Sequence, residues 1–412
     1  MYSQKRRIYF NYIARERAHR RRMAAIALGA LCVGALALCG LIFGDKLSVE
    51  RPTAAPEEQA AEAVSDEAPE RLPPKVRGIY VTAWNASQED RLKYFINICD
   101  TTEINALVID IKDERGQLTF GAGTDESPAL IPDIEKTMAL LKSHGIYTIA
   151  RLVCFKDNTW GEENPQLAIH NKRGAAWKDN NGIIWLDPYN TGAWDHIVSI
   201  AQDAARVGFD EIQLDYVRFP SDGRLNEIDY GSVSTEKTKA EAIAEFLAYI
   251  KNALAEDKVK LSADIFGITI INKGDRENIG QDMELIARNA DYICPMVYPS
   301  HFANKKQNGK GQIINGTLFE APDLKPYEVV YNSLALMKAR LPESGEHAGV
   351  RPYLQDFTAA YLGKDYYQHY GAEQVTAQIK AVYDAGFDEW ILWNASNEYS
   401  VDAFRQKRGS LL

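Results

Sequence analysis

From residue 76 onward, short apolar runs alternate with longer stretches in which apolar positions recur every three to four residues. The short runs fall at residues 77–83, 106–111, 147–155, 211–217, 260–265, 292–298, 351–355 and 389–393. Runs of this length, bounded by polar turns, predict strands with both faces covered. The stretches between them, such as 132–144, 191–207, 236–256, 325–341 and 372–385, carry the period of a helix with one apolar face. Three of these stop at Gly145, Gly208 and Gly386, where a left-handed residue closes the last turn. Eight β-then-α units over about 330 residues predict an α/β chain folded as a (β/α)8 TIM barrel. A doubly wound open sheet would show fewer units and a glycine-rich phosphate turn after its first strand. Trp84-Asn85-Ala86-Ser87 occupies that place instead.

The N-terminal residues follow a different pattern. Residues 1–22 form a basic segment containing Lys5, Arg6, Arg7, Arg15, Arg17, Arg20, Arg21 and Arg22, and 23–44 is an uncharged apolar run. A run of roughly 20 residues spans a hydrocarbon core as a transmembrane helix. The positive flank stays cytoplasmic, so a single-pass signal-anchor with the remainder extracellular is expected. A cleaved signal peptide would have a shorter apolar region and an A-x-A site close behind it. A lipoprotein-type Cys39 would want a small residue where Leu38 stands. Residues 45–75, with Pro and Glu clusters and few large apolar groups, predict a flexible linker off the membrane. Residues 76–412 then form the barrel.

Composition narrows the chemistry. Hydrophobic residues make up 46% and charged residues 25% of the chain, ordinary for a globular domain. The formal charge is −10, and because the basic block is N-terminal, the barrel is more acidic still. Such a surface is a poor partner for nucleic acid. Cys32 and Cys39 lie in the anchor, while Cys99, Cys154 and Cys294 fall on a helix and two strands, which predicts buried free thiols rather than a disulfide framework. The histidines are scattered without metal-ligand spacing, so no metal and no cofactor is expected.

In a (β/α)8 barrel, chemistry gathers where the strands end, and period-2 alternation tells which side chains point inward. In Ile212-Gln213-Leu214-Asp215 the aliphatic residues face the helices, leaving Gln213 and Asp215 inside. The same argument turns Ser262 and Asp264 inward, and Val108, Asp110 and Lys112. Arg151, Tyr298 and Gln355 follow by parity, with Trp393 at the end of the eighth strand. A carboxylate inside an apolar strand is costly without a purpose or partner. Asp113 and Asp356, just past the inward phase, read as loop hydrogen-bonders, and Arg151 is also a natural ion-pair partner for Asp110. The long third βα loop, 156–190, carries Trp160, Trp177, Trp185 and Tyr189, flat faces suited to sugar rings or to packing the loop on its own barrel. Trp84 and Arg218, each just past a strand end, complete the expected sugar contacts.

Glycosidic cleavage needs two carboxyl groups around one bond. Asp215 and Asp264 sit on neighbouring strands, with Asp215 expected as nucleophile or base, Asp264 as general acid and Asp110 in reserve. From about residue 76 to 399 the chain resembles the glycoside hydrolase domain of bacterial envelope proteins catalogued as a domain of unknown function, a (β/α)8 domain similar to the α-amylase-like hydrolases. The resemblance rests on Arg77-Gly78-Ile79-Tyr80-Val81-Thr82, Val108-Ile109-Asp110-Ile111-Lys112-Asp113, Trp185-Leu186-Asp187-Pro188-Tyr189-Asn190 and Gln213-Leu214-Asp215-Tyr216-Val217-Arg218-Phe219-Pro220. Ser262-Ala263-Asp264-Ile265-Phe266-Gly267, Ile293-Cys294-Pro295-Met296-Val297-Tyr298-Pro299 and Tyr353-Leu354-Gln355-Asp356-Phe357 extend it. It implies a glycosidase acting on a polysaccharide or oligosaccharide of the envelope or its surroundings. The fourth-strand segment is also similar to that of chitinase-like barrels, but Val217 stands where their acid is needed and Gln213 replaces one aspartate. The amylase-like pattern has a Glu acid after the fifth strand, where this chain has Asp264. A non-catalytic glycan-binding barrel is the competing expectation, since a fold alone does not establish an activity.

Overall fold

A computed structural model describes residues 74–121, 129–341 and 347–406. The basic segment, the anchor expected over 23–44 and all but the end of the linker lie outside the described residues. Among the described residues no helix is long and apolar enough to cross a membrane.

Eight parallel strand positions pair in chain order and close on themselves. They are β1 (Arg77–Val81), β2 (Ala106–Lys112), β3 (Tyr147–Val153), β4 (Glu211–Asp215), β5 (Lys260–Phe266), β6 (Tyr292–Met296), β7 and β8 (Trp390–Trp393). β7 comes in two pieces, Gly349–Val350 and Tyr353–Gln355, separated at Pro352, which has no N–H to offer a neighbour. β8 returns to β1 through Arg77↔Trp390, Gly78↔Ile391 and Ile79↔Leu392. The closed ring leaves no sheet edge. The expected (β/α)8 barrel is the observed one.

The helices α1 (Glu89–Thr101), α2 (Ile134–Ser143), α3 (Thr191–Val207), α4 (Lys239–Ala253), α5 (Met283–Asn289), α6 (Pro326–Lys338) and α7 (Ala372–Asp384) follow the first seven strands. Their ends are chemically marked. Asn190 caps α3 through the Gly192 N–H, and α3 stops at Gly208 with φ 104°. Thr238 and Glu241 cap α4 reciprocally. After β8 the described chain forms only a 3-10 turn, Val401–Ala403, in place of the eighth helix that the unit count predicts. The end of the described chain is instead fastened beside α1, where the Glu103 N–H donates to the Arg405 carbonyl at 2.8 Å.

Alternate residues of each strand enter two apolar layers. Ile79, Leu107, Ile109, Ile212, Leu214, Leu261 and Ala263 pack toward the helices. Tyr80, Val108, Ile149, Cys294, Tyr353 and Ile391 fill the barrel. Cys99, Cys154 and Cys294 are buried. The alternation breaks once at the site, in β2, where the register shifts between Asp110 and Lys112 and Lys112 comes to pair with Leu152. That bulge reverses the side to which Lys112 points.

The N-terminal ends of the strands form a sealed floor. Arg351 Nη1 donates to both Glu211 oxygens at 2.8 and 2.9 Å, and Tyr147 OH donates to Glu211 at 3.1 Å. Glu389 lies 3.5 Å from Arg351 and accepts the Val76 N–H at 2.6 Å. The chain therefore enters the barrel on this floor, with Val76 fully buried.

Candidate active site

At the opposite end, a cleft of ≈ 620 Å³ opens over the C-terminal ends of the strands. Asp215, Asp264, Arg151, Tyr298 and Trp393 line it, each an inward position by strand parity or strand end. Gln213 pairs with Ser262 and Leu214 with Ala263, so Asp215 and Asp264 extend neighbouring strands at about the same height.

The two aspartates are held very differently. Arg151 gives Asp215 Oδ2 two hydrogen bonds, from Nε at 3.0 Å and Nη2 at 2.5 Å. Asp215 Oδ1 accepts the backbone N–H of Tyr216 at 2.6 Å. Tyr216 makes that bond in the left-handed region, at φ 49°, an uncommon place for a bulky residue. Asp264 has no such support. It is 1% exposed, and its Oδ1 is buried without a hydrogen-bond partner. Burial pushes its carboxyl well above the usual carboxylate range, the Asp215 charge pushes it further, and Arg151 opposes them. Asp264 therefore keeps its proton where an ordinary aspartate would lose it.

Asp110 lies outside the lining. Its Oδ1 accepts Arg151 Nη1 at 2.6 Å and its Oδ2 accepts the Tyr80 hydroxyl at 2.5 Å. Burial raises the Asp110 carboxyl above its ordinary value, against the pull of Arg151 and the Tyr80 bond. The same guanidinium lies 5.1 Å from the Trp393 ring centre, and Trp393 stacks on Tyr80 at 3.9 Å.

Other expected sugar contacts lie elsewhere. Lys112, turned by the bulge, is fully buried and pairs with Asp157 at 2.9 Å. Gln355 is fully buried too, donating to Asp323 and the Phe357 carbonyl at 3.0 Å each. Arg218 packs behind the cleft wall, its guanidinium over the rings of Phe266 at 4.5 Å and Tyr216 at 5.1 Å. Trp160 stacks on His196 at 4.0 Å, and Trp177 and Trp185 are buried. Tyr189 meets Phe219 and Tyr230, so the aromatics of the third βα loop pack the loop onto its barrel. Trp84 rides a short helix, Ala83–Ser87, 62% exposed and off the lining. Asp113 accepts the Arg115 and Gln117 N–H groups, and Asp356 accepts the N–H and the hydroxyl of Ser400, as loop hydrogen-bonders.

Several lining residues escape strand parity because loops supply them: Glu114, Asn272, Asp275, His301, Phe302 and Gln312. Tyr353 does not escape it, since it shares the phase of Gln355. It lines the cleft and donates its hydroxyl to Gln213. Among the described residues no group of His, Cys, Asp and Glu is arranged to hold a metal ion.

A family model described as "Putative glycosyl hydrolase domain" matches residues 78–399, which takes in every strand of the barrel but the first residue of β1. The chain belongs to this family. The glycoside hydrolase domain of PgaB (BpsB) from Bordetella bronchiseptica superimposes with a TM-score of 0.57 at 12% identity, covering 80% of this chain and 98% of that one. An α-amylase from Lactobacillus plantarum gives 0.51 at 12% identity, covering 79% and 72%. At such identities the likeness is one of fold. A hypothetical protein from Ruminiclostridium thermocellum is 36% identical over 45% of this chain and 96% of its own, with a TM-score of 0.41. No curated protein sequence matches the chain.

Proposed function

We propose that the barrel hydrolyses O-glycosidic bonds of an envelope or extracellular polysaccharide, with Asp264 as general acid and Asp215 as nucleophile. The observation that carries this reading is the unequal treatment of two carboxyls in one cleft. Asp264 is buried and unpartnered at Oδ1, its carboxyl pushed well above the usual range by burial, while Asp215 is clamped by a permanently charged guanidinium. Neighbouring strands lie about 4.8 Å apart, a spacing compatible with the roughly 5–5.5 Å between carboxyls of retaining enzymes. In the first step Asp264 gives its proton to the leaving oxygen as Asp215 bonds to the anomeric carbon, breaking the C–O bond. In the second, the Asp264 carboxylate takes a proton from water, whose oxygen displaces Asp215. Arg151 then stabilises the departing carboxylate.

The lining also supports a choice among glycans. Glu114, Asp215 and Asp275 contribute carboxylates, Arg151 already serves Asp110 and Asp215, and burial lowers the His301 pKa, which favours the neutral ring. Uronate or phosphate polymers are repelled, so neutral or amine-bearing glycans are the proposed class. We place this activity outside the membrane, tethered through residues 23–44. Sedimentation of the full-length protein with membranes, and its digestion by protease added outside intact cells, test the tether.

The test of the chemistry is reducing-end release from neutral and amine-bearing polysaccharides by wild type, Asp215→Asn and Asp264→Asn. Each variant should lose turnover by about 10²-fold or more while still binding the glycan. Glycan binding without turnover in the wild type would make the barrel a binding module.

A further inference from the structure

We infer that Asp110 is a positioning residue for the proposed reaction: it holds the Arg151 guanidinium where it clamps Asp215, and acts on the sugar only through that clamp. The inference rests on the reading of Asp215 as the reacting carboxylate. Asp110 lies outside the cleft lining. Both its oxygens are engaged, one by Arg151 and one by Tyr80.

The geometry divides one cation between two anions. Arg151 directs Nη1 at Asp110 and Nε with Nη2 at Asp215, so all its nitrogens are aimed by these two carboxylates. In β2 and β3, Asp110 and Arg151 are direct register partners, which makes the first bond a cross-strand contact set by the barrel itself. Tyr80 on β1 fixes Asp110 from the other side, and its ring stacks on Trp393, over which the guanidinium also lies. A planar fork held at three points cannot rotate away when Asp215 changes from carboxylate to ester and back. The shared charge matters equally. A guanidinium given wholly to Asp215 would weaken it as a nucleophile, whereas one divided with Asp110 stabilises it without quenching it. The ionisable groups around this centre are Tyr80 from β1, Glu114 from the loop after β2, Cys154 just past β3, Asp215 at the end of β4 with Tyr216 after it, Asp264 from β5, Tyr298 just past β6 and Tyr353 from β7, with Glu114 at 3.6 Å from Arg151.

Asp110→Asn removes the competing anion and keeps the shape. With the wild type as reference, kcat should fall about 10- to 100-fold with KM within twofold. Tyr80→Phe, which leaves Asp110 bonded to Arg151 but without its second anchor, should lower kcat less, again at constant KM. It decides the matter if Asp110→Asn does not fold. Wild-type kcat in both variants overturns the inference. So does a KM that rises in step with the loss of kcat, since that would mark direct contact with the sugar. Persistent turnover in Asp215→Asn would instead overturn the reading of the site on which the inference rests.

Discussion

An aspartate in water ionises near a pH of about 3.9. Asp264 keeps its proton well above that, because its charged form would be buried at 1% exposure beside Asp215. Between those two points the unfolded chain has released a proton that the folded chain retains, so stability falls as pH rises across the window. Asp264→Asn, neutral throughout, removes this penalty. Thermal melts at pH 7 should show the variant more stable by about 2 °C, with the difference vanishing below about pH 4. A variant that melts lower than wild type at pH 7 would count against a protonated Asp264. Inactivity joined to a gain in stability is the signature of a residue kept for chemistry. At this scale much was legible beforehand: parity alone turns Asp215, Asp264, Arg151 and Tyr298 inward, because a pleated strand offers only two faces. Tyr353 obeys the same rule. Tyr216 was not legible, since nothing in Leu214-Asp215-Tyr216-Val217 announces a backbone at φ 49°.

Elements account for the remaining departures. The bulge between Asp110 and Lys112 shifts β2 by one position, and a period-2 argument carried across it sends Lys112 to the wrong side. The same bulge joins Lys112 to Asp157, which accepts the Trp160 N–H at 2.7 Å and lies 3.3 Å from His196 on α3. One buried cation thus ties β2 to the third βα loop and α3. Lys112→Met should therefore destabilise the fold by about 3–5 kcal/mol in urea unfolding, because Asp157 would be left as a buried charge. A loss below about 1 kcal/mol would show that the pair is dispensable. Gly116 belongs to this arrangement, since at φ 85° a Cβ there would stand 1.9 Å from Asp157 Oδ1. The loops over the cleft carry Glu114, Asn272, Asp275 and His301 without any period, so their convergence had no signal in the sequence. The helices α3 and α4 were legible in outline, as caps and glycine stops act within a few residues of the chain.

The whole molecule separates stability from chemistry along the barrel axis. Arg351, Glu211 and Glu389 seal one end, and the carboxyls of the cleft occupy the other. Glu211→Gln leaves the fully buried Arg351 short of its nearest anion and should cost about 3 kcal/mol of folding stability. The kcat of the folded fraction should stay within twofold of wild type, and a large fall in kcat would mean that floor and mouth are coupled. Eight alternating units made the barrel legible as a whole. That the described residues after β8 hold only a 3-10 turn was not, because that stretch differs from a helix only in being short and turn-rich. The way the chain joins the barrel has a further outcome. Val76 enters at the sealed end, so the described chain joins the barrel at the end away from the cleft. A label coupled to the exposed Lys75 would therefore sit at the floor and leave the opening free for a long polymer.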